Sequence, residues 1–263
     1  MLPRRPLGST GLTVGVVGLG TVKLGRNQSL KYPRPFAIPD DRAAARLLDR
    51  AAELGVNLLD TAPAYGAAEE RLGGLLAGRR ERWLLCTKVG EEFEDGRSRF
   101  DFSPEGVRRS VERSLRRLAT DRLDLVLVHS DGDDLAILAL GTLDALADLK
   151  REGKVLAYGF SSKTVAGGLA AAERCDCMMV TWNLFHEEEV PVVDRCLALG
   201  RGVLIKKPLA SGHAVAGPQI GATFGRILAH PGVSSLVVGT LDPRHLEAAV
   251  AAAGAALSGE EGP

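Results

Sequence analysis

Short runs rich in β-branched residues and leucine alternate eight times with longer, Ala- and Arg-rich amphipathic runs. The strand-like runs lie at 15–20 (GVVGLG), 56–60 (VNLLD), 82–88 (RWLLCTK), 123–129 (LDLVLVH), 154–160 (KVLAYGF), 178–182 (MMVTW), 202–206 (GVLIK) and 234–239 (SSLVVG). Helical stretches fall between them, at 40–54, 67–78, 104–118, 135–151, 163–173, 187–199, 218–229 and 242–256. The strands are nearly continuous apolar runs, as parallel strands buried on both faces require. The helices carry apolar residues at three- and four-residue spacing. Ser103-Pro104 and Asp242-Pro243 place a capping side chain before a proline in the first turn. The run DRAAARLLDRAAELG stops on Gly55. Eight such units in 263 residues predict a (β/α)₈ barrel as a single domain over 1–263. A doubly wound sheet is the alternative. RPLGSTGLTV, ahead of the first strand, reads as a hairpin closing the bottom of the barrel. The long polar loop TVKLGRNQSLKYPRPFAIPDD should lie over the other end.

Composition removes several function classes. Thirty-three basic residues balance thirty-three acidic ones, so the basic footprint of a nucleic-acid binder is missing. No apolar run has the length of a membrane span. Four cysteines, with Cys175 and Cys177 in a C-x-C pair, lack redox or zinc spacing. No metal site is expected, and the thiols fit a reducing, cytoplasmic setting.

In a parallel barrel the reactive groups gather at the C-terminal ends of the strands. The second strand ends on Asp60, with Tyr65 five residues on; the third ends on Lys88 and the fourth on His129. Each has an ordinary reading alone: a turn former, a packed ring, a solvated amine, a structural imidazole. Together they suit acid–base chemistry. A phenol with a pKa of roughly 10 donates poorly at neutral pH, and a neighbouring ammonium favours its ionised form. Asp60 would keep a buried Lys88 charged. No nucleophile triad accompanies them, so a cofactor is implied.

The stretches GVNLLDTAPAYG-AAEERLG, CTKVG, LVLVHSDG, GKVLAYGFSS and PGVSSLVVGT-LDPRHLEAAV closely resemble the signatures of the aldo-keto reductases, in order and over nearly the whole chain. The resemblance implies a barrel that binds NADPH without a Rossmann fold and reduces a small-molecule carbonyl compound. It makes Asp60, Tyr65, Lys88 and His129 the catalytic tetrad. Tyr65 would be the general acid, its pKa lowered by Lys88, and His129 would orient the carbonyl. Gly20 and Thr21 match positions beside the nicotinamide. GLGTVKLG is not a dinucleotide fingerprint, because no helix follows directly. Ser161 and Ser162 match the carboxamide-holding pair, with Ser in place of the usual Asn. Lys207, Pro208, Leu209, Ser211 and Gly212 match the loop that borders the pyrophosphate. Gly239, Thr240, Arg244 and His245 match the adenosine-phosphate end.

Two departures stand out. Met179 takes the place of a usual Gln, and Lys206 the place of a ring that stacks on the nicotinamide. His245 stands where many members carry an arginine for the 2′-phosphate, which narrows the margin of NADPH over NADH. Arg26, Asn27, Tyr32, Phe36, Trp182 and Phe185 are expected to border an open pocket. A nicotinamide-binding sensor with little turnover, or a phosphate-handling barrel isomerase, are the competing readings.

Overall fold

The computed structural model describes residues 2–30, 32–212 and 217–258. Eight parallel strands close a barrel in sequence order: β1 (Val17–Gly20), β2 (Leu58–Asp60), β3 (Leu84–Val89), β4 (Leu123–His129), β5 (Val155–Ser161), β6 (Cys177–Thr181), β7 (Gly202–Lys206) and β8 (Ser235–Val238). Closure is made where Leu236 of β8 pairs with Val17 of β1. The outer ring is α1 (Asp41–Glu53), α2 (Ala68–Leu75), α3 (Pro104–Arg117), α4 (Thr142–Arg151), α5 (Val165–Ala172), α6 (Val190–Ala198), α7 (Gly217–Leu228) and α8 (Pro243–Ser258). No helix among the described residues is long and apolar enough to cross a membrane.

The caps read from the sequence form. Ser103 Oγ accepts from the Gly106 amide at 3.1 Å, and Asp242 Oδ1 accepts from Arg244 N at 2.9 Å. In α1 the buried residues are Ala44, Leu47, Leu48 and Ala51, the three- and four-residue spacing of a helix with one core face. The run 135–151 is not one helix. Gly141, at φ 78°, breaks it into a short turn, Asp134–Ala139, and α4. Thr142 Oγ1 secures the break by donating to Phe102 O at 2.7 Å and Ile137 O at 3.1 Å.

The core has two parts. The outer part joins strands to helices. The inner one fills the barrel with Leu58, Cys86, Leu125, Leu127, Ala157, Cys177, Met179, Leu204 and Val237. Leu7 and Val14 complete it from below. They flank the loop of the N-terminal hairpin, where Arg4–Pro6 pairs with Thr13–Gly15. The hairpin therefore plugs the bottom, as the sequence implies. Its fit is close: a Cβ on Gly202 would lie 2.6 Å from Leu7 Cδ1.

A second hairpin follows β3, pairing Glu91–Glu94 with Arg97–Phe100. It turns on Asp95 and Gly96, both left-handed, at φ 50° and 78°. The sequence reading passed over it, although Asp-Gly between alternating residues is a strong hairpin signal. A further addition is one helical turn, Val22–Gly25, at the start of the long loop after β1.

Leu127 is fully buried inside the barrel, two residues before His129. Leu127→Ala should cost about 3 kcal/mol in urea unfolding, from lost burial and the cavity left behind. A cost under about 1 kcal/mol would show that the barrel interior collapses around the gap rather than holding its shape.

Candidate active site

Side chains on a strand alternate between its faces. Leu58, Cys86, Leu127, Met179 and Leu204 point into the barrel. Two residues further along the same face stand Asp60, Lys88, His129, Thr181 and Lys206. Ser161 joins them, paired in register with His129 and Met179. The last inward layer of the barrel is thus polar, while every layer below it is apolar. That change of composition within single strands builds the site.

Tyr65 reaches this layer from the turn Pro63–Tyr65. The turn is fixed from behind by two glycines. Gly66 sits at φ 60°, and a Cβ there would lie 2.4 Å from Gly25 O. A Cβ on Gly25 would in turn lie 2.4 Å from Tyr65 O. The two loops lock backbone to backbone, which sets where the phenol ends.

Lys88 is buried, yet all three of its N–H donors are used. Nζ donates to Asp60 Oδ1 at 2.6 Å, to Thr61 O at 2.9 Å and to Tyr65 Oη at 3.1 Å. Tyr65 Oη lies 3.4 Å from Asp60 Oδ2. Burial disfavours the ammonium, but Asp60 and Tyr65 outweigh it and hold Lys88 above its ordinary value. The phenol moves differently from the expectation. Burial pushes Tyr65 up, the charge of Asp60 pushes it further, and Lys88 only offsets part of this. The net direction is upward. Asp60 screens the cation that was expected to lower it, so Tyr65 is a protonated phenol across the neutral range.

His129 lies edge-on to Tyr65, with ring centroids 6.4 Å apart. Its Nδ1 is 2.9 Å from Glu91 Oε2, on the hairpin after β3. Burial lowers the imidazole's affinity for a second proton, and Lys88 and Lys206 add to this against the pull of Glu91.

Lys206 Nζ donates to Ser161 Oγ at 3.0 Å and to the carbonyl of Ser162. Burial lowers its pKa to about 8, with Glu189 opposing. Ser162 is turned away from the mouth, its Oγ donating to Glu189 Oε1 at 2.6 Å. Glu189 Oε2 also accepts from Thr181 N at 2.8 Å. In this structure the Ser162 hydroxyl, expected beside the carboxamide, is engaged by Glu189. Met179 lies wholly in the apolar interior, below the polar layer.

The remaining sequence-derived positions ring the same mouth. Gly20 and Gly239 leave the floor between β8 and β1 bare. The Tyr32 hydroxyl comes within 3.3 Å of where a Cβ on Gly239 would stand. Thr21 donates to Asp60 O at 3.0 Å. In the turn from Lys207 through Pro208, Leu209 and Ala210 to Gly212, Lys207, Ala210, Ser211 and Gly212 have positive φ. Asn183 Nδ2 ties the turn to β6 by donating to Lys207 O at 3.0 Å. Thr240 is buried and accepts from Asp242 N at 3.1 Å. Arg244 and His245 are exposed, and Arg244 is paired with Asp242 at 2.9 Å. Of the expected pocket border, Arg26 is buried with its guanidinium 3.5 Å from the Phe93 ring, and Phe185 is exposed. Trp182 instead packs in the core, against His230. Glu69, in the first turn of α2, is buried and accepts from Thr87 Oγ1 at 2.5 Å.

Sequence reasoning did not find Glu91, Thr181 or Glu189. Thr181 was within reach, since it sits two residues beyond Met179 on an inward face. Glu91 was reachable only through the hairpin that carries it.

Barrel and polar mouth together define an enzyme of the (β/α)₈ class. The model of the Aldo/keto reductase family matches residues 16–225, and the chain belongs to that family of oxidoreductases. The Bacillus subtilis oxidoreductase YqkF is 32% identical over 222 residues, 78% of this chain and 68% of that protein. Arabidopsis thaliana L-galactose dehydrogenase is 38% identical over 163 residues, 60% of this chain; the match spans 47% of that protein. Among solved structures, a Pseudomonas aeruginosa protein assigned as an aldo-keto reductase is 54% identical, with a TM-score of 0.89 over 97% of this chain and 95% of that one. The Bacillus halodurans aldo-keto reductase AKR11C1, in its holo form, is 26% identical, with a TM-score of 0.82 over 96% and 91%.

Removing Asp60 leaves the Lys88 ammonium buried without its carboxylate. Asp60→Ala should cost about 3–5 kcal/mol in denaturant unfolding at neutral pH. The double variant Asp60→Ala/Lys88→Met should recover much of that. A double variant no more stable than the single would mean that the loss comes from packing and not from the uncompensated charge.

Proposed function

We propose that the protein reduces an aldehyde or ketone to an alcohol with NADPH, using Tyr65 as the acid. The observation that carries this reading is the closed set of hydrogen bonds joining Tyr65, Lys88 and Asp60 beside His129. It holds a phenol, whose own hydrogen bond to Asp60 Oδ2 is long at 3.4 Å, at a mouth that Gly20, Gly239, Tyr32 and Lys206 also border. A nicotinamide held beside Thr21, Ser161 and Lys206 would supply hydride to the carbonyl carbon. Tyr65 gives its proton to the carbonyl oxygen, and the phenolate left behind rests against the Lys88 ammonium. Asp60 keeps that ammonium charged throughout. Burial and the charge of Asp60 keep the phenol protonated at rest, so it has a proton to give to a carbonyl oxygen.

Several features support a dinucleotide in this mouth. Gly20 and Gly239 leave an uninterrupted floor beside the acid. The run of left-handed residues at Lys207–Gly212 suits backbone capture of phosphate. Thr21, Ser161 and Lys206 would face the nicotinamide end. Pro208, Leu209, Ser211 and Gly212 would border the pyrophosphate, and Thr240, Arg244 and His245 the adenosine end. Arg244 and His245 favour the 2′-phosphate of NADPH. NADH fits the same cleft less well, by a margin that Asp242 narrows.

The Arabidopsis relative is named for its action on L-galactose, so sugars belong beside simple aldehydes and ketones in a substrate panel. The test is NADPH oxidation against that panel, with wild type beside Tyr65→Phe. Tyr65→Phe should lose at least about 10²-fold in kcat and still bind NADPH by fluorescence titration. Binding without turnover on every compound would favour the sensor reading, and no binding at all would remove the cofactor. Asp242→Asn, which frees Arg244 and removes a charge repelling phosphate, should tighten NADPH relative to NADH. The expected gain is about fivefold, the effect of one exposed charge; equal change for both cofactors would place the 2′-phosphate elsewhere.

A further inference from the structure

We propose that Glu91 sets the proton state of His129: it holds a proton on Nδ1, so that Nε2 accepts a hydrogen bond while the ring is neutral and donates one only as imidazolium. The inference rests on the carbonyl reduction proposed above and adds a positioning residue to it.

The geometry leaves Nδ1 one choice. It is buried, and among the described residues Glu91 Oε2, at 2.9 Å, is the acceptor within reach. The approach is too oblique for a formed hydrogen bond, so the contact is an ion-pair distance, and among the described residues no other polar group competes for Nδ1. Glu91 is itself held. Ser98 Oγ, across the hairpin, donates to its Oε1 at 2.6 Å. Arg26 adds positive charge nearby, anchored by its stack on Phe93 of the same strand. These partners and His129 hold the Glu91 carboxyl down, at about 2, despite its burial. It is therefore an anion whenever the protein is folded near neutrality.

An ionised carboxylate only accepts, and a neutral imidazole has one N–H. With that N–H placed on the Nδ1 that faces the Glu91 anion, Nε2 carries a lone pair. Among the described residues it has no hydrogen-bond partner, and it is left for the mouth. A neutral His129 therefore accepts from an alcohol hydroxyl but cannot donate to a carbonyl oxygen. Donation needs a second proton, taken from solvent, which makes the ring an imidazolium facing the Glu91 anion. Lys88 from β3 and Lys206 from β7 oppose that proton; Glu91 on the hairpin favours it; Tyr65, still a phenol, adds no charge. The substrate's redox state and the charge of His129 are thus coupled: the imidazolium fits the carbonyl, and the neutral ring fits the alcohol.

The sign follows. Reduction should be fast below the titration of His129 and fall as pH rises through it, while alcohol oxidation should rise. Glu91→Gln keeps the acceptor oxygen and removes the anion, so the imidazolium loses its counter-charge. The falling limb of kcat/KM for reduction should move to lower pH by roughly one unit or more. Glu91→Asp, which keeps the charge, should restore most of the wild-type limb. Ser98→Ala should shift it slightly in the same direction as Glu91→Gln.

The deciding measurement does not need turnover. Long-range ¹⁵N–¹H spectra of histidine-labelled protein, assigned with His129→Gln, read tautomer and titration directly. Wild type should show the neutral ring protonated on Nδ1, and Glu91→Gln should titrate at lower pH with an unchanged melting temperature. A neutral ring protonated on Nε2, or a His129 titration unmoved in Glu91→Gln, overturns the proposal. Spectra as expected from a protein that reduces no carbonyl would uphold the Glu91–His129 pair and sink the reductase reading instead.

Discussion

The ion pair between Lys88 and Asp60 organises the molecule's active end. Neither group is tolerable alone in a barrel interior, since an unpaired buried charge costs several kcal/mol. Paired at 2.6 Å, with the other two ammonium protons on Thr61 O and Tyr65 Oη, they make a polar layer possible on top of an apolar one. Everything near the phenol depends on it. The carboxylate that secures the lysine also disfavours a phenolate at Tyr65, so the phenol stays protonated beside the ammonium.

The rest of the fold keeps that pair where it is. Parallel strands buried on both faces hold Asp60 and Lys88 in fixed register, with Leu58 and Cys86 beneath them on the same face. The interlock of Gly25 with Gly66 positions Tyr65 from outside the barrel. Rigid backbone on two sides of a short turn places a phenol more closely than a free loop could. Around this frame the mouth is asymmetric. One side carries Asp60, Tyr65, Lys88 and His129, the other Gly20 and Gly239 with the Tyr32 hydroxyl against the latter, and Lys206 donates to the oxygens of Ser161 and Ser162.

Much of this was legible in the sequence because it is periodic. The alternation of apolar runs gave the barrel, and strands 123–129 and 202–206 were read to the residue. Asp60, Lys88 and His129 were found because each ends a strand, and strand ends converge in a barrel. What escaped was long-range or non-periodic. Helix 135–151 carries a helical pattern across Gly141, and only the left-handed backbone there, backed by Thr142, breaks it. Glu91 lies in a hairpin announced by Asp95-Gly96, yet nothing local says that the hairpin folds back onto His129. The direction of the Tyr65 shift was misjudged for a related reason. One neighbour, Lys88, was weighed, whereas burial and the charge of Asp60 together decide the sign. Ser162 was assigned to the mouth by its place in a motif, while Glu189 from the following loop claims its hydroxyl.

The plug formed by Leu7 and Val14 has a mechanical consequence. With the hairpin below and side chains such as Leu58, Leu127 and Leu204 filling the interior, the barrel is a solid column and not a channel. The polar layer at its top therefore stands on a base that has no empty space to settle into, and a small hairpin at the far end is part of what holds its height.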